Sequence, residues 1–216
     1  MTDDHVKKTI AVYDAIADQY ASKLDDYAPR PEQDKFISLL PKSSRILDAG
    51  CGPGRDCEYF FQHGLKVIGV DLSEKLLAIA KKRVSKVKFL KQDIRKLEFP
   101  ASSFDGIWTC ASLLHLRRDE ILDVLCSFYS LLKKNGVLFV LVKEGKGEAD
   151  IAEKLSSHAT RHFTYFAIDE LKRLLEKARF VVEEIYLWNE EVRRPGRRDL
   201  VWISCFARKI ENPRTL

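Results

Sequence analysis

The sequence predicts an α/β fold in which a parallel sheet carries helices on both faces. Short apolar runs suited to buried strands recur between residues 46 and 142, and helical patterns stand between most of them. Strands and helices that alternate in this way build a parallel sheet. The tail differs, because a predicted helix over 169–178 precedes two strand-like runs, 180–187 and 200–207, with no helix predicted between them. We expect these two runs to pair antiparallel.

The individual elements follow from apolar spacing and from breaker residues. Apolar residues at helical spacing predict one amphipathic helix over 5–24, and a short helix over 33–40 follows Pro29 and Pro31. Ser73 is typical of a helix N-cap. The predicted strands of the sheet run over 46–48, 66–71, 87–90, 104–109 and 136–142, and the helices between them over 55–62, 74–83 and 119–132.

Three glycines at alternate positions follow the first predicted strand, which ends in Asp48. They are Gly50, Gly52 and Gly54. Glycine reaches positive φ and lets a ligand approach backbone amides, so the loop predicts a ligand site. The register excludes a nicotinamide fingerprint, whose third glycine would stand at Arg55, and no P-loop Gly-Lys-Ser/Thr follows.

A second acid, Asp71, ends the next predicted strand about 20 residues further on. In nucleotide-binding α/β units an acid at this spacing binds ribose hydroxyls. Asp93 follows the third predicted strand. Since the carboxyl ends of parallel strands meet at one edge of the sheet, these acids are expected near the glycine loop.

Several motifs in this order resemble the class I S-adenosylmethionine (SAM) dependent methyltransferases, of the type 11/25 kind. They are Leu47–Gly54, Asp71, Gln92–Ile94, Phe104–Trp108 and Leu131–Leu138. The resemblance implies a Rossmann-like, doubly wound sheet of seven strands in the order 3-2-1-4-5-7-6, with strand 7 antiparallel. It also implies one domain over 1–216, with an N-terminal helical lid (1–42) and a lid insertion after strand 5 (143–166).

The same resemblance implies SAM as cofactor and S-adenosylhomocysteine as product. The glycines would line the methionine part, Asp48 would face its ammonium group, Asp71 would hold the ribose hydroxyls, and Leu72 would lie against adenine. Asp93 and the Ile94 amide would bind the adenine edge, although Asp93 also fits a solvated loop acid. The implied cofactor-binding residues are Tyr13, Tyr20, Asp48, Gly50, Cys51, Gly52, Gly54, Asp71, Leu72, Gln92, Asp93, Ile94 and Cys110.

Two of these assignments have competing interpretations. Tyr13 and Tyr20 belong to a segment that resembles the family's lid over the cofactor, but an aromatic stripe also fits core packing. Cys110 follows the fourth strand and is expected to line the site, because a nucleophilic thiol needs an activating base. The Pro-Pro box of many amino-group methyltransferases and the Pro-Cys pair of cytosine C5 enzymes are absent, which makes those subclasses unfavourable.

Histidines supply the candidates for proton transfer and metal binding. His115, just beyond the fourth strand, is the candidate general base, since imidazole titrates near neutral pH; a structural histidine is the alternative. His158 and His162 stand four apart, a spacing that could hold a metal on one helix face. No third ligand is evident in the sequence, so we predict no metal site.

The acceptor contacts are expected from two segments. The stretch 143–164 is longer than a usual link after a strand and fits a lid or substrate wall, with Arg161, His162 and Tyr165 as candidates. A predicted hairpin loop near Trp188 and Trp202 carries four arginines. They are Arg193, Arg194, Arg197 and Arg198. Arg194 is a candidate for an acidic substrate or RNA, while the favoured alternative is a solvated hairpin tip that blunts aggregation.

Composition limits the classes of protein. The 216 residues are 45% hydrophobic and 32% charged, with a net charge of +5 and five cysteines without C-x-x-C spacing. One globular domain, reduced thiols, no membrane span and a cytoplasmic location are expected, as a monomer or homodimer. A small-molecule methyltransferase is the leading hypothesis. An RNA (tRNA) methyltransferase and a non-enzymatic SAM-binding module are the alternatives.

Overall fold

A mixed sheet of seven strands forms the centre of the molecule. The structure is a computed structural model that describes residues 4–152, 160–196 and 200–210. Its strands are β1 (Arg45–Ala49), β2 (Lys66–Asp71), β3 (Lys88–Lys91), β4 (Phe104–Cys110), β5 (Leu132–Lys143), β6 (Glu148–Ala152), β7 (Thr160–Thr164), β8 (Phe180–Asn189) and β9 (Val201–Lys209). Its α-helices are α1 (Asp4–Ala15), α2 (Ala17–Leu24), α3 (Arg30–Ser38), α4 (Arg55–Gln62), α5 (Glu74–Arg83), α6 (Arg118–Leu131), α7 (Ile168–Lys177) and α8 (Glu190–Arg193). Single 3-10 turns cover Asp25–Tyr27 and Leu113–His115.

The strand order of the large sheet is β3-β2-β1-β4-β5-β9-β8. Strands β1 to β5 run parallel, and β9 is antiparallel to both of its neighbours, β5 and β8. The predicted fold class and order are therefore confirmed, with β8 and β9 as the sixth and seventh strands. The strand order reverses beside β1, because β2 and β3 lie on one side of it and β4 and β5 on the other. In such sheets, ligands bind at this reversal, outside the carboxyl ends of the strands.

The inner strands are apolar because both faces of the sheet are covered. Ile46, Leu47 and Ala49 of β1 are fully buried, as a parallel strand with helices on both sides requires. In the adjacent strands, the Trp108 and Phe139 rings stack with centroids 3.9 Å apart. Burying one such side chain contributes about 1.5 to 3 kcal/mol, so this layer supplies a rigid support for the loops above it.

The N-terminal helices differ from the prediction in two respects. The single helix predicted over 5–24 is wrong, because Ile16 leaves the helical conformation (φ −112°, ψ 12°) and separates α1 from α2. The break allows two sequence neighbours, Ile16 and Ala17, both to be buried. Helix α3 also begins earlier than predicted, since Pro31 is accommodated in its first turn.

The second half of the chain contains two strands and one helix that the sequence did not predict. β6 and β7 pair antiparallel in a separate two-stranded sheet within the stretch expected to form a lid. The short helix α8 stands between β8 and β9, where no helix was predicted. Pairing of β8 with β9 is confirmed.

Candidate functional site

The loop after β1 has the backbone conformation that its glycines make possible. Gly50, Gly52 and Gly54 have φ values of 88°, 52° and 81°. A Cβ on Gly50 would stand 2.3 Å from Cβ of Ser112, and one on Gly54 would stand 2.9 Å from Cβ of Ala80. The loop therefore needs glycine both for its φ angles and for its close approach to neighbouring segments.

Asp71 fixes this loop to the end of β2. Its Oδ2 accepts a hydrogen bond from the Gly52 amide at 2.9 Å, and its Oδ1 accepts one from the Ser73 amide, also at 2.9 Å. Ser73 in turn caps α5 by accepting from the Leu76 amide, as predicted. Burial raises the pKa of Asp71, while these backbone donors oppose the rise.

A first cavity, the glycine-loop cavity, lies over the carboxyl ends of β1 and β2. It has a volume of about 740 Å³, including the part open to solvent. Its lining includes Tyr13, Tyr20, Gly50, Gly52, Asp71, Leu72, Gln92, Asp93, Ile94, Cys110 and His115. An acid beside a glycine loop and apolar side chains on either side provide the contacts that a nucleoside requires.

Asp93 has an additional role in this wall. Both of its oxygens accept from the Arg95 guanidinium, at 2.7 to 3.1 Å, and Arg95 also donates to Glu120. The Asp93 carboxylate is thus held in one orientation at the edge of the cavity.

A second cavity, the aromatic cavity, adjoins the first and has a volume of about 930 Å³, again including the part open to solvent. Its aromatic wall consists of Tyr13, Tyr20, Tyr27, Phe163, Trp188 and Trp202. Its charged lining consists of Lys23, Arg55, Lys143, Arg161, Arg194, Asp56 and Glu190. The size is that of a site for a small organic molecule.

The two cavities share a wall. The residues that line both are Tyr13, Tyr20, Gly50, Gly52, Cys110, Ala111 and His115. A ligand in the glycine-loop cavity and a ligand in the aromatic cavity would therefore meet at these residues. Such an arrangement suits the transfer of a group between two bound molecules.

A hydrogen-bonded triad lies at this shared wall. The Arg161 guanidinium donates to the Tyr13 hydroxyl at 2.5 Å, and that hydroxyl lies 2.9 Å from Nε2 of His115. Nδ1 of His115 lies 2.8 Å from the carbonyl oxygen of His162, which can only accept, so Nδ1 carries the proton and Nε2 accepts from Tyr13. Burial, and next the charge of Arg161, lower the pKa of His115 to about 3, so the ring is neutral at pH 7.

This geometry weakens His115 as the predicted general base. The nitrogen that would take a proton accepts the Tyr13 hydroxyl, and the lowered pKa makes the ring a weak base. Direct proton removal by His115 stays a prediction, since its Nε2 accepts from Tyr13 while its ring lines both cavities. Sequence reasoning missed this triad, because its members come from α1, the turn after β4, and β7.

A buried ion pair, Arg55 with Asp56, lines the aromatic cavity. Arg55 donates to both oxygens of Asp56, at 2.6 and 2.7 Å, and Asp56 also accepts from Gln33 and from the Trp108 indole. Arg55 further donates to the Leu24 carbonyl at the end of α2. Arg55 and Asp56 thus join the N-terminal helices to the sheet and compensate each other's charge.

Some residues predicted for the cofactor do not line either cavity. Asp48 is 1% exposed and accepts from the Cys57 thiol at 3.2 Å, and burial together with Asp56 raises its pKa well above the usual value. Gly54 is the N-cap of α4 and packs against α5. The geometry therefore does not favour direct contact of Asp48 or Gly54 with a cofactor. Cys51 lines the aromatic cavity rather than the glycine-loop cavity.

The residues predicted for the acceptor separate in a similar way. Arg161 and Arg194 line the aromatic cavity, whereas His162 and Tyr165 do not. His162 alternates with Arg161 along β7 and therefore points to the opposite face, where it contacts Asp150 at 3.1 Å. Tyr165 lies against Gly145 instead. Lys143, Trp188 and Trp202 line the cavity although none was predicted to bind the acceptor.

The arginine-rich loop contacts the protein's own N-terminal segment. Arg193 donates to the buried Glu32 at 2.7 Å and lies 3.9 Å over the Trp188 ring, and Arg194 donates to the Ala28 carbonyl at 2.5 Å. These contacts contradict the favoured interpretation of a solvated hairpin tip for Arg193 and Arg194. Arg197 and Arg198 lie outside the described residues.

The part of the chain that the structure describes contains no grouped metal ligands and no helix suited to cross a membrane. There, no three His, Cys, Asp or Glu side chains are grouped to hold a metal ion. His162 stands on a strand rather than a helix, and His158 lies outside the described residues. Over the same residues no helix has the length and apolar character needed to cross a bilayer.

Comparison with known proteins adds a family to this geometry. A family model described as a methyltransferase domain matches residues 46–136. The malonyl-[acyl-carrier protein] O-methyltransferase of Enterobacter lignolyticus is 31% identical over 111 residues, which are 50% of this chain and 43% of that protein. The S-adenosyl-L-methionine-dependent Diels-Alderase iccD of Talaromyces variabilis is 31% identical over 178 residues, 72% of this chain and 60% of that protein.

A solved structure matches nearly the whole chain. It is the Burkholderia thailandensis 1,6-didemethyltoxoflavin-N1-methyltransferase with bound 1,6-didemethyltoxoflavin and S-adenosylhomocysteine. The TM-score is 0.73 at 26% identity, covering 98% of this chain and 92% of that one. By contrast, the chain spans about half the length of the curated relatives it matches.

Proposed function

We propose that the chain is a class I SAM-dependent methyltransferase and that it transfers the methyl group of SAM to a small-molecule acceptor bound in the aromatic cavity. The observation that carries the proposal is the wall shared by the two cavities, at Tyr13, Gly50, Cys110 and His115. Through it, a cofactor on one side and an acceptor on the other come into contact.

The residues of the glycine-loop cavity fit SAM. Gly50 and Gly52 line this cavity, and their backbone would offer a close surface to the methionine part. Asp71, at the end of β2, would accept from the ribose hydroxyls, and Leu72 and Ile94 would make apolar contacts with adenine. When bound, SAM supplies a methyl group already activated by a sulfonium. The protein is then required mainly to align the acceptor and exclude water.

The residues above the shared wall would perform that alignment. Tyr13 and Tyr20, whose ring centroids are 5.1 Å apart, bring α1 and α2 over both cavities. Arg161 and Phe163 approach from β7, so the hairpin and the N-terminal helices together cover the site. This supports a lid role for the segments 1–42 and 143–166.

Calorimetry and a labelled methyl group test the proposal. We expect SAM and S-adenosylhomocysteine to bind the purified chain, and tritium from [methyl-³H]SAM to appear in a small organic acceptor. If neither nucleoside binds, the proposal is wrong. A Gly50→Ala variant, which forces a Cβ into Ser112, should lose this binding. Gly64→Ala, at an exposed glycine with open space around it, is the control and should keep it.

A second candidate is favoured by the relative iccD, whose name describes a SAM-dependent Diels-Alderase. In that case the aromatic cavity would hold a substrate that undergoes a Diels–Alder cycloaddition, and SAM would keep its methyl group. The labelling experiment separates the two, since tritium would then remain in SAM while the substrate is consumed.

A further inference from the structure

We propose that the hydroxyl of Thr9, on α1, forms a hydrogen bond with the nucleoside part of the cofactor and thereby determines cofactor affinity. The inference rests on the proposed function, since it assigns a residue to the cofactor that this function requires. It arises from a buried hydroxyl without a hydrogen-bond partner, and from the place of Thr9 in the wall of the glycine-loop cavity.

Thr9 is buried, and its hydroxyl makes no hydrogen bond within the part of the chain that the structure describes. The residue is 6% exposed, and its Oγ1 atom is closed to solvent. A helical threonine often satisfies its hydroxyl at a carbonyl one turn back, but among the described residues Thr9 makes no such bond. Burying a hydroxyl without a partner costs free energy, so nearly all such groups in proteins have one.

The position of Thr9 on α1 brings its side chain to the cofactor side of the site. Four residues of α1 at helical spacing line the glycine-loop cavity. They are Val6, Thr9, Ile10 and Tyr13. Tyr13 also lines the aromatic cavity, whereas Thr9 lines the glycine-loop cavity alone. About 6 Å of helix therefore separates Thr9 from the shared wall, where the methyl group would be transferred, and the nucleoside part is expected at that distance.

The wall around Thr9 leaves its hydroxyl as a group that a ligand can satisfy. Two other polar side chains of this wall already have protein partners, since Asp71 accepts from two backbone amides and Ser112 donates to the Ala49 carbonyl at 2.7 Å. A helical threonine populates two χ1 rotamers, so rotation about Cα–Cβ can turn the hydroxyl toward a bound nucleoside without moving α1. Adenosine offers both hydroxyls and ring nitrogens to such a group.

Replacing Thr9 by Val tests the inference, because valine has nearly the same shape and lacks the hydroxyl. Without ligand, Thr9→Val should raise the midpoint temperature of unfolding by about 2 to 4 °C, since a buried polar group without a partner is removed. In calorimetric titration, the same variant should bind S-adenosylhomocysteine about tenfold more weakly, since the nucleoside loses its partner. Thr9→Ser keeps the hydroxyl and should recover most of this loss.

Thr164→Val is the matched control. Thr164 is fully buried and lines neither cavity, and its hydroxyl donates to the Leu116 carbonyl at 2.6 Å. Its replacement should lower the midpoint temperature by about 2 to 4 °C and leave the affinity for S-adenosylhomocysteine unchanged. A merely structural role of Thr9 would give the same signs as Thr164. Opposite changes in stability and affinity are expected for Thr9→Val alone.

A fragment of the cofactor shows which part Thr9 contacts. 5′-Methylthioadenosine carries the nucleoside without the amino-acid end, so Thr9→Val should weaken its binding by the same factor as that of S-adenosylhomocysteine. An unchanged affinity for 5′-methylthioadenosine overturns the inference. A lower midpoint temperature of unliganded Thr9→Val also overturns it, because the hydroxyl would then have a partner in the folded chain.

The outcomes distinguish this inference from the proposed function. If the parent chain binds S-adenosylhomocysteine and Thr9→Val binds it equally well, Thr9 is not a cofactor contact and the proposed function stands. If the parent chain binds neither SAM nor S-adenosylhomocysteine, the proposed function is wrong and the assignment of Thr9 is wrong with it.

Discussion

The Tyr13 hydroxyl lies 2.9 Å from Nε2 of His115, a contact between residues 102 positions apart. It joins α1 to the turn that follows β4, and Arg161 of β7 donates to the same hydroxyl. Three segments that are distant in the sequence are thus held together directly over the shared wall. Because the His162 carbonyl fixes the proton of His115 on Nδ1, the Tyr13 hydroxyl donates to Nε2 in this contact.

Replacing Tyr13 by Phe should remove the hydroxyl contacts and leave the packing of the ring intact. The ring would keep its packing against Tyr20, but Nε2 of His115 and the Arg161 guanidinium would lose their common partner. We expect a loss of about 1 to 3 kcal/mol in the free energy of unfolding and a lower rate of methyl transfer. Urea denaturation and the labelled assay measure the two effects.

Tyr59→Phe provides the control for this change. The Tyr59 hydroxyl donates to Asp34 in a solvent-exposed hydrogen bond away from both cavities. Its loss should alter the free energy of unfolding by no more than about 0.5 kcal/mol and leave turnover intact. Equal effects of the two variants would contradict a special role for Tyr13.

Asp71→Asn should weaken SAM binding by tenfold or more. Each oxygen of the carboxylate accepts from one backbone amide, that of Gly52 or that of Ser73. In Asn one of these oxygens is replaced by an NH₂ group, which cannot accept, so one of the two hydrogen bonds is lost. Each lost charged hydrogen bond corresponds to about 1.5 to 3 kcal/mol. Calorimetric titration with SAM gives the affinity. Asp25→Asn, whose side chain is 57% exposed and pairs with Arg83, is the control, and an unchanged affinity in Asp71→Asn would show that the cofactor lies elsewhere.

Glu32→Gln should weaken the attachment of α3 to the C-terminal strands and lower the free energy of unfolding. Glu32 is fully buried and accepts from Arg193 at 2.7 Å, from Tyr186 at 3.0 Å and from Ser204 at 3.3 Å. It therefore connects α3 with α8, β8 and β9. Since Arg193 is partly exposed, we expect a cost of about 1 to 3 kcal/mol, less than for a fully buried pair.

The exposed pair of Lys35 with Glu184 offers a comparison for Glu32. Glu184→Gln should cost at most about 1 kcal/mol. Urea denaturation of the two variants, with the double variant Glu32→Gln/Arg193→Met, gives the coupling energy between Glu32 and Arg193. A coupling close to zero would contradict the proposed link.

The sheet, and the gathering of the strand-end residues at one cavity, follow from the sequence for a physical reason. Apolar runs flanked by helices specify buried parallel strands, and a parallel sheet gathers its carboxyl ends at one edge. Gly50, Asp71, Leu72, Gln92 and Ile94 therefore line one cavity although they span more than forty positions. Local patterns suffice for this part because topology brings the strand ends together.

The lining of the aromatic cavity could not be predicted in the same way. Its walls come from α2, β5, β7, α8 and β9, and its charged residues are buried by tertiary packing rather than by a local pattern. Arg161 stands in a short polar strand, yet is 3% exposed because the Tyr13 and Phe163 rings lie within about 5 Å of its guanidinium. Which face of β7 points inward depends on its pairing with β6, which the sequence alone does not reveal.

His115 gives a prediction about the dependence of stability on pH. Its pKa is lowered to about 3 in the folded chain, first by burial and then by Arg161, against an ordinary value near 6.5. Below pH 6.5 the unfolded chain therefore binds a proton that the folded chain excludes. The stability contributed by neutral His115 is complete above pH 6.5 and is lost as the pH falls toward 3.

Comparison with His115→Asn isolates this effect, because Asn does not titrate and its amide can still donate to the His162 carbonyl. Arg161, Lys143 and His162 face His115, and they remain in both chains, so their own titrations largely cancel in the difference. The stability advantage of the parent chain should shrink by up to about 1.4 kcal/mol for each pH unit between 6.5 and 4.5. Urea denaturation at several pH values measures it. A difference independent of pH would mean that His115 titrates alike in the folded and unfolded chains.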